Sequence, residues 1–209
     1  MRNQVVSSLQ KLGKFELVKE ELGISHKGKR CFGLMELKEK NTQMYEDYCL
    51  IYAWRNANDM AFKAKVGTGS KVFVCDNMAL ISEWEIGAKH TLNVHNNIVS
   101  RLDKLNESLE EQGKLMHEKY AKYKNTSLGG HTADHLIMEA VRKKALPKTK
   151  IDKVDNEWNS PSYHYDGRPW SAWRLFNAFT HVNKGLNYAD QITRTQRLHK
   201  VFDDYLEVA

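Results

Sequence analysis

KVFVCDNMALISEWEIGAKHT, residues 71–91, is the stretch on which the reading of this chain turns. Its β-prone apolar run Val72-Phe73-Val74-Cys75 stops on Asp76-Asn77, and the segment that follows is compatible with a helix. Upstream of it the sequence has the marks of a sheet, and downstream almost everything has the period of a helix. The expected class is therefore α+β. An N-terminal antiparallel β-meander of three to five strands would be followed by one long helix and a helical C-terminal half packed on the sheet through its Trp and Phe residues. The whole of 1–209 is expected as a single domain, with 1–91 mainly sheet, 92–125 the long helix and 126–209 helical.

Working back from residue 71, Gly67-Thr68-Gly69-Ser70 is expected as a hairpin turn, with a short strand at 62–66 before it. The same glycines resemble a phosphate loop in residue type. They lack the first glycine of that motif and precede a strand where such a loop should follow one. Residues 48–55 form the clearest strand: Tyr48, Leu50, Tyr52 and Trp54 face one way and Cys49, Ile51 and Ala53 the other. Both faces are apolar, which predicts a central strand covered on both sides. Earlier still come a strand at 31–37, a turn at 25–30, an extended piece after Gly13 and a short helix ending near Lys11.

Working forward, Ile98, Leu102, Leu105, Leu109, Met116, Tyr120 and Tyr123 recur at intervals of 4, 3, 4, 7, 4 and 3, with Gln112 at the gap. That stripe predicts a helix over 94–124. It would pack on another helix or serve as an arm for homo-oligomerisation through 94–124. Gly129-Gly130 ends this run, and His131 or Thr132 is the expected cap of the next helix. A short helix at 151–158, a helix at 170–182 opened by Pro169, and a last helix at 188–206 complete the chain.

The apolar fraction of 41% and charged fraction of 28% are those of a folded globular chain. No run approaches the roughly 18 apolar residues of a membrane span. The N-terminus lacks the apolar centre of a secretory signal, so a cytoplasmic location is expected, with no membrane partner. Cys31, Cys49 and Cys75 show no close pair of the metal or redox kind and are expected as buried thiols. A net charge of +6 favours an anionic partner, nucleic acid first.

Three segments together carry a resemblance. They are Trp54-Arg55-Asn56-Ala57-Asn58-Asp59; Cys75-Asp76-Asn77 with Lys89-His90-Thr91 downstream; and Trp158 and Pro161 followed by Trp173-Arg174-Leu175-Phe176-Asn177-Ala178-Phe179-Thr180. In that order they resemble the domain of unknown function 932 family, found in phages, plasmids and bacterial mobile islands. The chain departs from the family pattern at Trp54 and at Met60-Ala61-Phe62. The resemblance implies a mobile-element protein, in the host cytoplasm if phage-encoded. It implies no catalytic residue, and the motif positions are Arg55, Asn56, Cys75, Asp76, Asn77, His90, Thr91, Trp158, Pro161, Trp173, Asn177 and Thr180.

The residues themselves support three function classes. The first is nucleic-acid binding, for single-stranded DNA before a duplex site. Lys27, Lys29 and Arg30 crowd one turn, and residues 142–153 hold Arg142, Lys143, Lys144, Lys148, Lys150 and Lys153 against the single acid Asp152. Arg194 and Arg197 follow at helical spacing, and Arg55, Lys71, Lys89 and His90 complete the candidate cations. Trp158, Tyr163, Tyr165 and Trp170 lie near in sequence. Cations that track phosphates and rings on which bases stack are what single-strand binding requires. The second class is a non-enzymatic inhibitor or adaptor that binds a host protein.

The third class is a metal-dependent nuclease-like enzyme. His131 and His135 stand at i and i+4 with Glu139 one turn further, so the three could share a helix face. Position 132 is Thr, so the metalloprotease motif is absent, and no metal ligand is assigned. His90 and His95 form a second pair. Asp76 could pair with His90 as general acid and base if the two met within about 3 Å. The structural alternative makes Asp76 and Asn77 caps of the following helix. Asn177, inside an aromatic helix, is expected to bond to a nearby loop or backbone. Nothing in the sequence calls for a cofactor.

Overall fold

The computed structural model describes residues 3, 6–7, 13–40, 48–72, 77–80, 86–88, 94–165, 167–184, 186 and 188–208. The α+β class holds: an antiparallel N-terminal sheet is followed by helices. The chain forms two compact units, one of residues 1–71 with 82–114 and one of residues 72–81 with 115–209.

In the first unit, β1 (Phe15–Ser25), β2 (Arg30–Glu39), β3 (Tyr48–Ala57) and β4 (Ala64–Val72) lie side by side in chain order. β1 pairs antiparallel with β2 from Phe15↔Glu39 to Ser25↔Arg30, with a bulge between Leu17 and Lys19. β2 pairs antiparallel with β3 from Arg30↔Ala57 to Leu37↔Leu50. The central strand expected at 48–55 is β3, and every residue from Tyr48 to Trp54 is buried. Two-faced apolar patterning thus did mark a strand covered on both sides. Trp54 lies flat over its register partner: a Cβ on Gly33 would fall 2.1 Å from its indole ring.

Two expectations around the opening stretch are corrected. Gly67-Thr68-Gly69-Ser70 is no hairpin turn but the interior of β4, and it is buried throughout. Its residues are small because a helix crosses them: Thr68 Oγ1 donates to Oε1 of Gln112, 2.6 Å away. The helix expected after Asn77 is replaced by two short strands, β5 (Asn77–Leu80) and β6 (Ile86–Ala88). β6 pairs antiparallel with the start of β4, Ala64↔Ala88 and Val66↔Ile86. The strand ladder supplies partners for backbone groups that a short isolated helix would leave open at both ends. Asn77 therefore opens a strand and caps no helix. Cys75, Asp76, Lys89, His90 and Thr91 lie outside the described residues, as does most of the short helix expected before Lys11.

The long helix α1 runs Val94–Asn125 and is shared between the two units. Leu102, Leu105, Leu109, Met116, Tyr120 and Tyr123 are all buried inside this one chain. These six residues of the stripe belong to the chain's own core. Lys14 Nζ reaches Glu110 Oε2 at 2.6 Å on the solvent side of its first half.

The second unit contains the end of α1, then α2 (Gly130–Arg142), a 3-10 turn (Lys148–Lys150), α3 (Ile151–Asn159), α4 (Ala172–Val182) and α5 (Tyr188–Val208). β5 lies against α4 and α5. The cap of α2 is Gly129, not His131 or Thr132. Likewise α4 starts after Pro169 and Trp170, with Ser171 as its N-cap accepting from the Arg174 N–H at 3.2 Å. Aromatic rings make the core: Tyr120 on Trp173 at 4.6 Å, Tyr123 on Phe202 at 5.4 Å and Phe176 on Phe202 at 5.5 Å. Asn177 is fully buried among them, and its Nδ2 donates to the Trp173 carbonyl at 2.9 Å. Among the described residues no helix is long and apolar enough to cross a membrane.

Candidate nucleic-acid interface

The geometry begins with how α2 ends. Lys144 turns the chain in the left-handed region, at φ 59°, and the N–H groups of Ala145 and Leu146 both fold back on the Ala140 carbonyl. Ala145 and Leu146 are thereby buried, while Arg142, Lys143 and Lys144 stay exposed at the helix C-terminus, where the dipole favours cations. Pro147 then starts the 3-10 turn that carries Lys148 and Lys150.

α5 brings the second set of cations to the same place. Arg197 Nη1 donates to the Lys144 carbonyl at 3.1 Å, fastening α5 to the α2 terminus. Between them lies a cleft of about 560 Å³ lined by Arg142, Lys144, Lys148, Arg194 and Arg197, with Asp190 as its acid. Two basic runs some fifty positions apart in the sequence thus converge on one surface. Nη1 of Arg194 is buried without a hydrogen-bond partner. Lys150 sits beside the cleft, its Nζ donating to the Val182 carbonyl at the end of α4, 2.6 Å away. Burial, then the charges of Arg194 and Lys153, hold its pKa below the usual lysine value. An anion in the cleft would reduce the repulsion among these cations and give the buried Nη1 of Arg194 a partner.

The other candidate cations are placed differently. Lys27 and Lys29 are exposed on the β1–β2 turn, where His26, Lys27 and Gly28 all have positive φ. Arg30 beside them is held by Asp59, Nε to Oδ2 2.9 Å. Arg55 is half-buried with its guanidinium 4.8 Å from the Phe62 ring centre. Lys71 is buried and paired to Glu36 at 2.7 Å, with Glu21 at 3.6 Å. Lys71 is thus engaged inside its own sheet, and Arg55 rests against Phe62.

The enzymatic candidates find little geometry. His131 and His135 are exposed on α2, and Glu139 is engaged by Arg142. Among the described residues no three His, Cys, Asp or Glu side chains converge as metal ligands. Cys49 is buried, and burial pushes its thiol up to about 11, where it is a poor nucleophile. Of the motif positions, Trp158, Trp173, Asn177 and Thr180 are core, Pro161 follows α3, and Asn56 bonds to Asn58 at 3.1 Å.

Sequence reasoning missed Arg174. Its Nε donates to the Trp158 carbonyl at 2.8 Å, Nη1 to that of Pro169 at 3.0 Å and Nη2 to that of Asn159 at 3.1 Å. The signal was present in the shared run of Trp158, Pro169 and Trp170 around it, but only the fold shows that one guanidinium ties them together. Comparison with protein-family models, with characterised proteins and with solved structures found no match to this chain.

Proposed function

We propose that this chain binds single-stranded nucleic acid, with the cleft between the end of α2 and α5 holding the phosphate backbone. The observation that carries this reading is the convergence of Arg142, Lys144, Lys148, Arg194 and Arg197 on one cleft with a single acid. Clustered cations release counterions when a polyanion binds, and that term supplies most of sequence-independent affinity. Arg197 is already tied to the Lys144 carbonyl, so less entropy is lost when it binds than from a free lysine. The role in a phage or plasmid rests on the motif resemblance alone.

The test is fluorescence anisotropy of a labelled oligothymidine at low and moderate salt. Binding should be tight at about 50 mM salt and weaken steeply by about 200 mM. No binding at low salt would sink the reading.

A second reading, a protein-binding adaptor, is favoured by β1, an end strand on which Val18, Leu22 and Ile24 are exposed. Long apolar end strands are surfaces to which another chain can add. It predicts a complex with a host protein that survives nuclease treatment and is lost on Leu22→Lys with Ile24→Lys.

A further inference from the structure

Trp170 is 47% exposed, whereas Trp158 and Trp173 in the same unit are buried. It is also held still. The Arg174 guanidinium lies 4.3 Å from the centre of the Trp170 ring and is itself fixed by the three carbonyls already described. The Trp158 and Trp170 rings pack edge to face, with centroids 5.2 Å apart and planes at 67°. The Leu128 N–H donates to the Trp170 carbonyl at 2.7 Å. An exposed ring normally loses rotamer freedom when it binds something, and this one has little left to lose.

The ring borders a cleft of about 650 Å³ whose other walls are Trp158, Asn159, Arg168, Pro169 and the run Ser127-Leu128-Gly129-Gly130. A Cβ built on Gly129 or on Gly130 would meet nothing within 4 Å, so that wall is bare main chain facing open space. The cleft therefore combines a fixed aromatic ring, an exposed arginine at the rim and a stretch of bare main chain at Gly129-Gly130. Arg168 and the cations of the basic cleft favour an anionic occupant over an apolar peptide. The two clefts lie at opposite ends of α2, whose 13 residues span roughly 20 Å. A few nucleotides of extended strand cover that distance.

We propose that the Trp170 cleft receives one unpaired base of a nucleic-acid strand, stacked on the free face of Trp170, with Arg168 on the adjoining phosphate. This rests on the single-strand reading of the basic cleft. Arg174 on one face and a base on the other would sandwich the indole, and every base has a π-face, so sequence would matter little.

The test uses the full chain and two oligothymidines, one intact and one with abasic sites throughout, with binding measured at several salt concentrations. Trp170→Ala should weaken binding of the intact strand by roughly five-fold or more, and Trp170→Phe by much less. Gly130→Leu, which fills the cleft and leaves the ring in place, should weaken it similarly. The abasic strand should bind all four proteins equally, and the salt slope should not change. Circular dichroism melts establish that the variants are folded. Salt-dependent binding that is indifferent to Trp170 and Gly130, or equal losses on intact and abasic strands, overturns the stacking site alone. Failure of the wild-type chain to bind either strand at low salt overturns the basic cleft as well.

Discussion

Lys71 Nζ and Glu36 Oε1 meet at 2.7 Å with both side chains nearly out of water, 7% and 11% exposed. Two charges taken out of water are worth little as a pair but are expensive to separate. Lys71→Met alone should therefore cost about 3–5 kcal/mol, because Glu36 is left without its close cation. The double variant Lys71→Met with Glu36→Leu should recover most of that loss. Urea unfolding of the two singles and the double measures the coupling. Additive losses would show that the pair is not an ion pair in solution.

Gly33→Ala should be far more damaging than an ordinary glycine substitution in a strand. The new methyl would fall inside the Trp54 indole, and both residues belong to the paired core of β2 and β3. Overpacking of this kind costs about 1–3 kcal/mol or more. The companion change Trp54→Leu together with Gly33→Ala should be better tolerated than Gly33→Ala alone. Thermal unfolding followed by circular dichroism checks both.

His199 sets a pH window. It is fully buried against Tyr120, Tyr123 and Phe176, and burial, then the nearby Lys119 charge, pushes its pKa down to about 3, against an opposing pull from Asp203. The unfolded chain takes up this proton near pH 6.5, the folded chain only near 3. Stability from this site is therefore complete above about pH 6.5 and falls as pH drops toward 3, by at most about 1.4 kcal/mol per pH unit. His199→Gln should lower stability at neutral pH but flatten this slope. A slope unchanged by the substitution would assign the acid sensitivity to other groups.

What the sequence made legible followed the strength of its periodic signals. β3 and α1 were plain because two-faced alternation and a sustained helical stripe are each hard to satisfy in any other way. The segment from Asn77 to Ala88 was misjudged because its period of two is broken: Met78 and Leu80, then Trp84, Ile86 and Ala88, share a phase, but Ser82 falls on that phase and Ala79 and Ile81 fall off it. Gly67 and Gly69 looked like a turn because glycine punctuates turns more often than it thins a strand under a helix. At the candidate site, composition exposed the basic residues one by one. Which of them meet depends on the α2 terminus and on the Arg197 bond to the Lys144 carbonyl, and neither is written in local sequence. Lys71 shows the converse, a lysine whose chemistry was spent on long-range pairing with Glu36.

The salt dependence of oligonucleotide binding separates the clustered cations from the rest. Lys144 and Lys148 are exposed at the cleft, so each should release counterion when a phosphate replaces solvent. Replacing both by Gln should reduce the slope of log K against log salt by about 1.4, at roughly 0.7 for each single-strand phosphate lost. Lys27 and Lys29, equally exposed but on the β1–β2 turn of the other unit, should leave the slope unchanged when replaced by Gln. Equal effects from both pairs would show that charge alone, and not the cleft at the end of α2, governs association. A reduced slope confined to Lys144 and Lys148 would locate the phosphates where the two basic runs of the sequence converge.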